Sequence, residues 1–96
     1  MKINTDFGIQ EIKPQKVFEW KGIKFAIIKR PEKYMSVEQV ITVQRVVEYT
    51  TGQSLPLVIK RGMTLKQIEG EALRLLDQFE TAEGLNSRIE KLEQLN

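Results

Sequence analysis

Hydrophobic and polar positions alternate most clearly over residues 16–27, on either side of Lys21 and Gly22. Glycine readily adopts the positive φ that a two-residue hairpin turn requires, so we predict two antiparallel strands joined at this dipeptide. Apart from Lys16, one face of this hairpin is apolar and consists of Phe18, Trp20, Ile23, Phe25 and Ile27. On the other face Glu19 lies opposite Lys24, and opposite charges across a strand pair are mildly stabilising. We therefore expect the aromatic face to lie in the core.

A second hairpin is predicted within residues 38–60, with Gly52 in its turn. A three-residue loop of residues 50–52 places apolar positions opposite one another, and a left-handed residue commonly ends such a loop. This register pairs Val47 with Leu55, Arg45 with Leu57, and Val43 with Ile59. A shift of one residue would turn the second strand's apolar side chains outward. Pro56 lacks an N–H group, so we predict that residues 53–60 form an edge strand.

Two segments lack a clear strand pattern. Residues 1–15 alternate poorly and are closed by Pro14, so we predict an N-terminal arm that holds at most one short strand. The run from Lys29 to Lys33 is charged and contains Pro31, which cannot donate to a β-ladder. We therefore predict that the first hairpin ends here, in a loop that extends to about residue 36.

Residues 63–80 carry the signals of an amphipathic helix. Thr64 and Gln67 have the spacing of a capping box, in which each side chain accepts a hydrogen bond from the other residue's backbone N–H. Met63 and Ile68 are spaced for the hydrophobic contact that often accompanies such a cap. One apolar stripe follows at helical spacing: Leu65, Ile68, Ala72, Leu75, Leu76 and Phe79. We predict that this stripe covers the sheet.

Residues 81–96 are predicted to form a second, shorter helix. Ser87 and Glu90 repeat the capping-box spacing, and the apolar positions are Leu85, Ile89, Leu92 and Leu95. A helix of about nine residues is marginal in water on its own. Two alternatives are open: this tail docks on its own domain, or its four apolar residues form an oligomer interface with a second copy.

Together these elements predict an α+β fold in which all strands precede the helices. The sheet is antiparallel and consists of two consecutive β-hairpins (ββββ), with one face covered by the amphipathic helix and one face free. The predicted organisation is an arm at 1–15, a ββββα domain at 16–80 and a helical tail at 81–96. We expect the free face to carry the function.

The composition excludes several kinds of chemistry. The chain has 96 residues, which suits one domain, and contains neither cysteine nor histidine. Thiolate metal sites and any nucleophile paired with histidine are thereby excluded. We predict no cofactor, no metal, no small-molecule ligand and no enzymatic activity. No run approaches the ~20 apolar residues of a membrane span, and the N-terminus lacks the apolar block of a signal peptide, so we predict a cytoplasmic protein without membrane contact.

Charge is distributed unevenly along the chain. Residues 1–66 contain 12 basic and 6 acidic residues, whereas residues 67–96 contain 3 basic and 7 acidic residues. A basic segment interleaved with aromatic residues is typical of nucleic-acid binding, although lysines also decorate ordinary solvated sheets. The candidate nucleic-acid contacts are Lys24, Arg30, Arg45, Lys60, Arg61 and Tyr34.

Two of these candidates have a more specific interpretation. Lys60 and Arg61 precede Gly62 and the helix, where a helix N-terminus with basic neighbours can hold an anion, but a charged turn has the same pattern. Arg45 falls within the apolar stripe of its strand. Its guanidinium either meets a phosphate or carboxylate, or lies with its stem on apolar surface and its head in water.

The order of elements resembles small nucleic-acid-binding folds in which an antiparallel sheet precedes a helix, such as the transcriptional-coactivator type of single-strand binder and the N-terminal domains of transposon integrases. The stretch of residues 48–53, followed by residues 62–64 and the helix, also resembles short proteins of bacterial and phage genomes. These resemblances imply no individual site residues. We therefore predict a small non-enzymatic binding or adaptor module that self-associates through its sheet or C-terminal helix. The alternative is a nucleic-acid-binding accessory protein that uses a basic sheet face.

Overall fold

The computed structural model describes residues 1–34 and 39–82. Within these residues the chain forms five antiparallel strands in two sheets and one helix. The elements are β1 (Lys2–Thr5), β2 (Gly8–Glu11), β3 (Lys16–Trp20), β4 (Ile23–Tyr34), β5 (Gln39–Glu48) and α1 (Leu65–Ala82). β1 pairs with β2, and the second sheet has the order β3-β4-β5. The α+β class is confirmed, and no helix in the described part of the chain is long and apolar enough to cross a membrane.

The hairpin of β3 and β4 has the predicted register. Phe18 lies opposite Phe25, and their rings stack with centroids 5.7 Å apart. The turn residues Lys21 and Gly22 have φ of 48° and 80°, as a two-residue turn with two left-handed positions requires. Both phenylalanines and Trp20 are buried. The prediction that the aromatic face forms the core is confirmed.

Helix α1 covers this aromatic face. Its capping box is present: the Gln67 N–H donates to the Thr64 hydroxyl at 3.1 Å, and the Thr64 N–H donates to Gln67 Oε1 at 2.9 Å. The apolar stripe then buries Ile68, Ala72 and Leu76 completely against the hairpin. Polar contacts at the rim of this interface are a hydrogen bond from Trp20 Nε1 to Asp77 Oδ1 (2.8 Å) and an ion pair between Lys16 and Glu69 (2.7 Å).

Strand β4 does not end at Pro31, so the predicted loop from Lys29 is wrong over its first six residues. Backbone N–H and C=O groups of successive strand residues point to opposite edges of the strand. Ile27 O accepts a bond from Gln15 N–H at 2.8 Å, on the side of β3. The backbone N–H and C=O groups of the odd-numbered residues of β4 therefore point away from β5. Pro31 belongs to this set and lies beyond the end of β3, and its missing N–H therefore costs no ladder bond.

The second hairpin is also different from the prediction. The turn contains four residues, 49–52, and Val47 pairs with Ser54 rather than with Leu55. The Glu48 carboxylate stabilises this longer turn by accepting bonds from the N–H groups of Thr50 (3.1 Å) and Thr51 (2.6 Å) and from the Thr51 hydroxyl (2.7 Å). These bonds lower the pKa of Glu48, although burial acts in the opposite direction.

Residues 53–60 therefore form one isolated bridge instead of a fourth strand of the sheet, and the predicted ββββ arrangement is wrong in this part. Gly52 has the predicted left-handed conformation, with φ of 74°. Leu55, Leu57 and Ile59 pack on the core although the register is shifted, because the segment leaves the sheet edge and bends across the aromatic cluster.

The N-terminal segment is a hairpin, β1 and β2, that packs on the sheet face opposite α1. Ile3 is 1% exposed and forms a second core cluster with Ala26, Ile28 and Val47, which are all fully buried. The turn of this hairpin also reaches the edge of β4, where the Lys33 N–H donates to Asp6 Oδ2 at 2.8 Å. The expectation that one sheet face is free is therefore wrong around Ile3. The predicted helical tail lies outside the described residues, together with its candidate interface residues Leu85, Ile89, Leu92 and Leu95.

Candidate binding cleft beside strand β5

The structure divides the six candidate contact residues between two surfaces. Lys24, Arg30 and Tyr34 occupy even-numbered positions of β4, and Arg45 lies on the same face because it pairs with Ile28. This is the face opposite α1, beside the N-terminal hairpin. Lys60 and Arg61 lie on a different surface, in the segment that leads into α1.

Two of the four residues on the first surface are engaged with one carboxylate. Glu32 accepts bonds from Arg45 Nε and Nη2, both at 2.9 Å, and from Arg30 Nε at 2.9 Å. The bonds from Arg45 and, to a smaller extent, from Arg30 lower the pKa of Glu32 to about 2, against the opposing effect of burial. Arg45 thus meets a carboxylate of its own chain, and the three charged groups carry a combined charge of +1.

The other two residues of this surface remain accessible. Lys24 is exposed, and its Nζ lies 4.8 Å from the centroid of the Tyr49 ring, a cation–π contact that leaves the ammonium group in water. Tyr34 is 47% exposed at the end of β4. The surface therefore presents one exposed lysine and one exposed ring beside a largely compensated arginine pair.

A cleft of about 480 Å³ opens between β5 and the segment before α1. Within residues 1–34 and 39–82, its lining contains three basic residues, no acidic residue, and both polar and apolar neighbours: Lys29, Thr42, Val43, Gln44, Ile59, Lys60, Arg61 and Gly62. All three basic side chains are exposed. Within residues 1–34 and 39–82, no carboxylate forms an ion pair with any of them.

Each wall of the cleft is positioned by a separate element. Lys29 lies opposite Gln44 in the β4–β5 ladder, two residues beyond the last pair that β4 makes with β3. On the other wall a tight turn holds Lys60 and Arg61, because the Met63 N–H donates to Lys60 O at 3.3 Å and the Lys60 N–H donates to Met63 Sδ at 3.2 Å. Gly62, with φ of 87°, allows the backbone to make this turn.

The lining determines what the cleft can do chemically. Three cations around one concave surface create a positive potential that attracts anionic groups. Among residues 1–34 and 39–82, the lining includes no carboxylate, and the chain contains no cysteine or histidine. In the described part of the chain no group of acidic side chains could hold a metal ion.

Sequence reasoning identified two of the three cleft cations. The sequence left two alternatives for Lys60 and Arg61, an anion site or a charged turn, and the structure places both residues in a turn that lines the cleft. Lys29 was not among the candidate contacts, although Arg30 of the same predicted loop was. Residues 29–33 show no alternation of apolar and polar positions, so no periodic signal in the sequence predicted the longer strand.

Comparison of the chain with known proteins identifies no relative. No protein-family model, curated protein or solved structure matches the chain. The function therefore has to be inferred from the cleft and its surroundings.

Proposed function

We propose that this chain is a small non-enzymatic binding module whose working surface is the cleft beside β5, and that its partner is anionic. The observation that supports this proposal is the convergence of Lys29, Lys60 and Arg61 on one cleft, to which the described residues contribute no acidic side chain. Gathering like charges costs free energy unless an oppositely charged ligand offsets it.

Some cations elsewhere are paired within the fold. Lys16 pairs with Glu69, and Arg30 and Arg45 share Glu32. The three cleft cations have no such partner within residues 1–34 and 39–82, a property that they share with several other exposed lysines. The support for a role in binding is therefore their convergence on one cleft.

The experiment measures fluorescence anisotropy of two labelled anionic probes, a glutamate-rich peptide and a mixed-sequence single-stranded oligonucleotide, at ~50 mM salt, where electrostatic binding is strongest. The full chain is compared with Lys29→Glu/Lys60→Glu and with a charge-matched control, Lys2→Glu/Lys13→Glu, on the exposed surface of the N-terminal segment. We expect at least one probe to bind, the cleft variant to lose that binding, and the control to retain it. The proposal is wrong if neither probe binds, or if both variants lose affinity equally.

A second candidate function is nucleic-acid binding at the surface opposite α1. The observation that favours it is that Lys24, Arg30, Arg45 and Tyr34 share that face. Binding there requires phosphates to compete with Glu32 for the two guanidinium groups. The variant Lys24→Glu/Arg30→Glu separates the two candidates: it weakens oligonucleotide binding if this surface is used, and leaves probe binding unchanged if the cleft is used.

A further inference from the structure

In the described part of the chain, residues 53–55 cover the outer edge of β5 over only part of its length. At the covered end, Glu48 N–H donates to Gln53 O and Leu55 N–H donates to Val46 O, both at 2.8 Å. Backbone groups alternate between the two edges of a strand, so the even-numbered residues of β5 direct theirs outward. The segment that follows the turn therefore behaves as a short neighbouring strand, but only as far as Leu55.

The cover ends because the chain turns away at Pro56. The Leu57 N–H donates to Leu55 O at 2.8 Å, which closes a three-residue turn around the proline. A continued ladder would have placed Leu57 opposite Gln44. Its N–H is instead used within its own turn, and the backbone groups of Gln44 lose the partner that the ladder would have supplied.

Beyond this point none of the residues that the structure describes covers the edge of β5. The outward-facing residues are Gln44, Thr42 and Val40. No residue within 1–34 or 39–82 hydrogen-bonds to their outward N–H and C=O groups. A row of unpaired backbone groups is a template for an added strand.

Charge decides which strand fits this edge. The cleft that contains Lys29, Lys60 and Arg61 lies along the open edge, since Thr42 and Gln44 also line it. A second copy of the chain that paired edge to edge would bring its own three cations against these, and like charges disfavour that pairing. An acidic strand would meet opposite charge and satisfy the backbone groups at the same time.

We propose that an extended acidic segment of another protein binds as an added strand along Val40–Gln44 of β5, with its carboxylates in the cleft. This inference rests on the proposed function, and it specifies the class of the anionic partner. Lys29 and Gln44 are cross-strand neighbours and therefore share a face of the sheet. The bound segment therefore carries acidic side chains at alternate positions, on the face that bears Lys29.

The test uses peptides of about seven residues, a usual strand length, in which glutamate alternates with threonine. One is unmodified, one has every glutamate replaced by glutamine, and two are N-methylated either at the glutamates or at the threonines. Successive N–H groups of a strand point to opposite edges, so only one of the two methylation patterns blocks the bonds to β5. Which pattern it is depends on whether the added strand runs parallel or antiparallel.

We expect the unmodified peptide to bind, and one methylated peptide to bind at least about tenfold more weakly than the other, because several hydrogen bonds are lost together. We expect the glutamine peptide to lose most of its affinity. On the protein side, Thr42→Pro removes one outward N–H, which is the kind of position where an edge strand tolerates proline. We expect this variant to keep its circular dichroism spectrum and to lose peptide binding.

Other results overturn the inference in ways that can be told apart. If both methylated peptides bind like the unmodified one, the acidic segment is held by charge alone, and the proposed function stands without strand addition. If the oligonucleotide binds at the cleft and the acidic peptide does not, the partner is a nucleic acid. If Thr42→Pro converts a dimer to a monomer in sedimentation, the edge is occupied by a second copy. If the glutamine peptide binds equally well, charge does not select the strand.

Discussion

Replacing Ile3 with alanine tests whether the N-terminal hairpin is an integral part of the fold. Ile3 is 1% exposed and packs on Ala26, Ile28 and Val47. The substitution removes three carbon atoms, which at about 0.8 kcal/mol each corresponds to about 2.4 kcal/mol of lost transfer free energy. The cavity left behind adds to this value, so we expect the free energy of unfolding to fall by about 3 kcal/mol. That is a large part of the ~5–15 kcal/mol that typically stabilises a small domain.

Trp20 makes this experiment informative, because it is the single tryptophan of the chain and lies in the cluster on the opposite side of the sheet from Ile3. Its fluorescence during urea denaturation reports unfolding of the main core. If the hairpin and the sheet unfold together, Ile3→Ala lowers the midpoint of the Trp20 transition. The matched control is Ile9→Ala in the same hairpin, where the side chain is 74% exposed and the expected change is within ~0.5 kcal/mol.

A Trp20 transition of Ile3→Ala that coincides with that of the unsubstituted protein would contradict this prediction. The hairpin would then be an arm that detaches without affecting the main core. The prediction is also wrong if Ile9→Ala shifts the midpoint of the Trp20 transition as much as Ile3→Ala does, since the effect would then not depend on burial.

Three further predictions address a charge, a turn and the tail. The pKa of Glu32 is lowered from 4.5 to about 2 in the folded protein, so its contribution to stability is complete above pH 4.5 and is lost as the pH falls toward 2. In urea titrations at several pH values, Glu32→Gln should therefore lose less stability on acidification than the unsubstituted protein does. An unchanged pH dependence would contradict this prediction. Gly52→Ala should destabilise the protein by about 1–3 kcal/mol, because φ is 74° there and the new Cβ would lie 3.3 Å from Ile3 Cδ1. The control is Gly70→Ala in α1, where the new Cβ meets no atom within 4 Å and should stabilise the protein by up to ~1 kcal/mol. Equal effects of the two glycine substitutions in thermal denaturation would show that backbone conformation is not the cause. If the tail self-associates, truncation after residue 82 should lower the number of chains per particle, which light scattering gives as the measured mass divided by the mass of one chain, without changing the circular dichroism per residue of the remaining fold. An unchanged number of chains per particle would remove the tail from consideration as an oligomer interface.

The parts of the fold that were predicted correctly have local causes. Two left-handed positions at Lys21 and Gly22 are enough to select a two-residue turn, and that turn determines the register of every pair between β3 and β4. Thr64 and Gln67 satisfy each other's backbone groups within one turn of helix, so the start of α1 needs no tertiary contact. Signals of this kind act between residues that are close in sequence.

The errors occurred where a local signal permits two outcomes. Pro31 excludes a ladder bond on one edge only, and which edge is paired depends on where β3 ends. The turn after β5 accommodates three or four residues, and the side chain of Glu48 stabilises the longer form. The same limits apply to the cleft: the sequence indicated Lys60 and Arg61, but Lys29 joins them only because β4 continues past β3.

Local signals in the sequence were sufficient to predict the first hairpin, the long helix and the face on which they meet, because periodicity and turn chemistry depend on neighbours along the chain. Tertiary contacts were needed to show that the N-terminal hairpin buries Ile3 on the opposite face, and that Lys29 and the adjacent Lys60 and Arg61 share one cleft beside a strand edge that no described residue covers. These features depend on how far each strand extends and on which edges remain unpaired. Such properties arise from competition among segments for the same backbone partners, which the pattern within any single segment does not record.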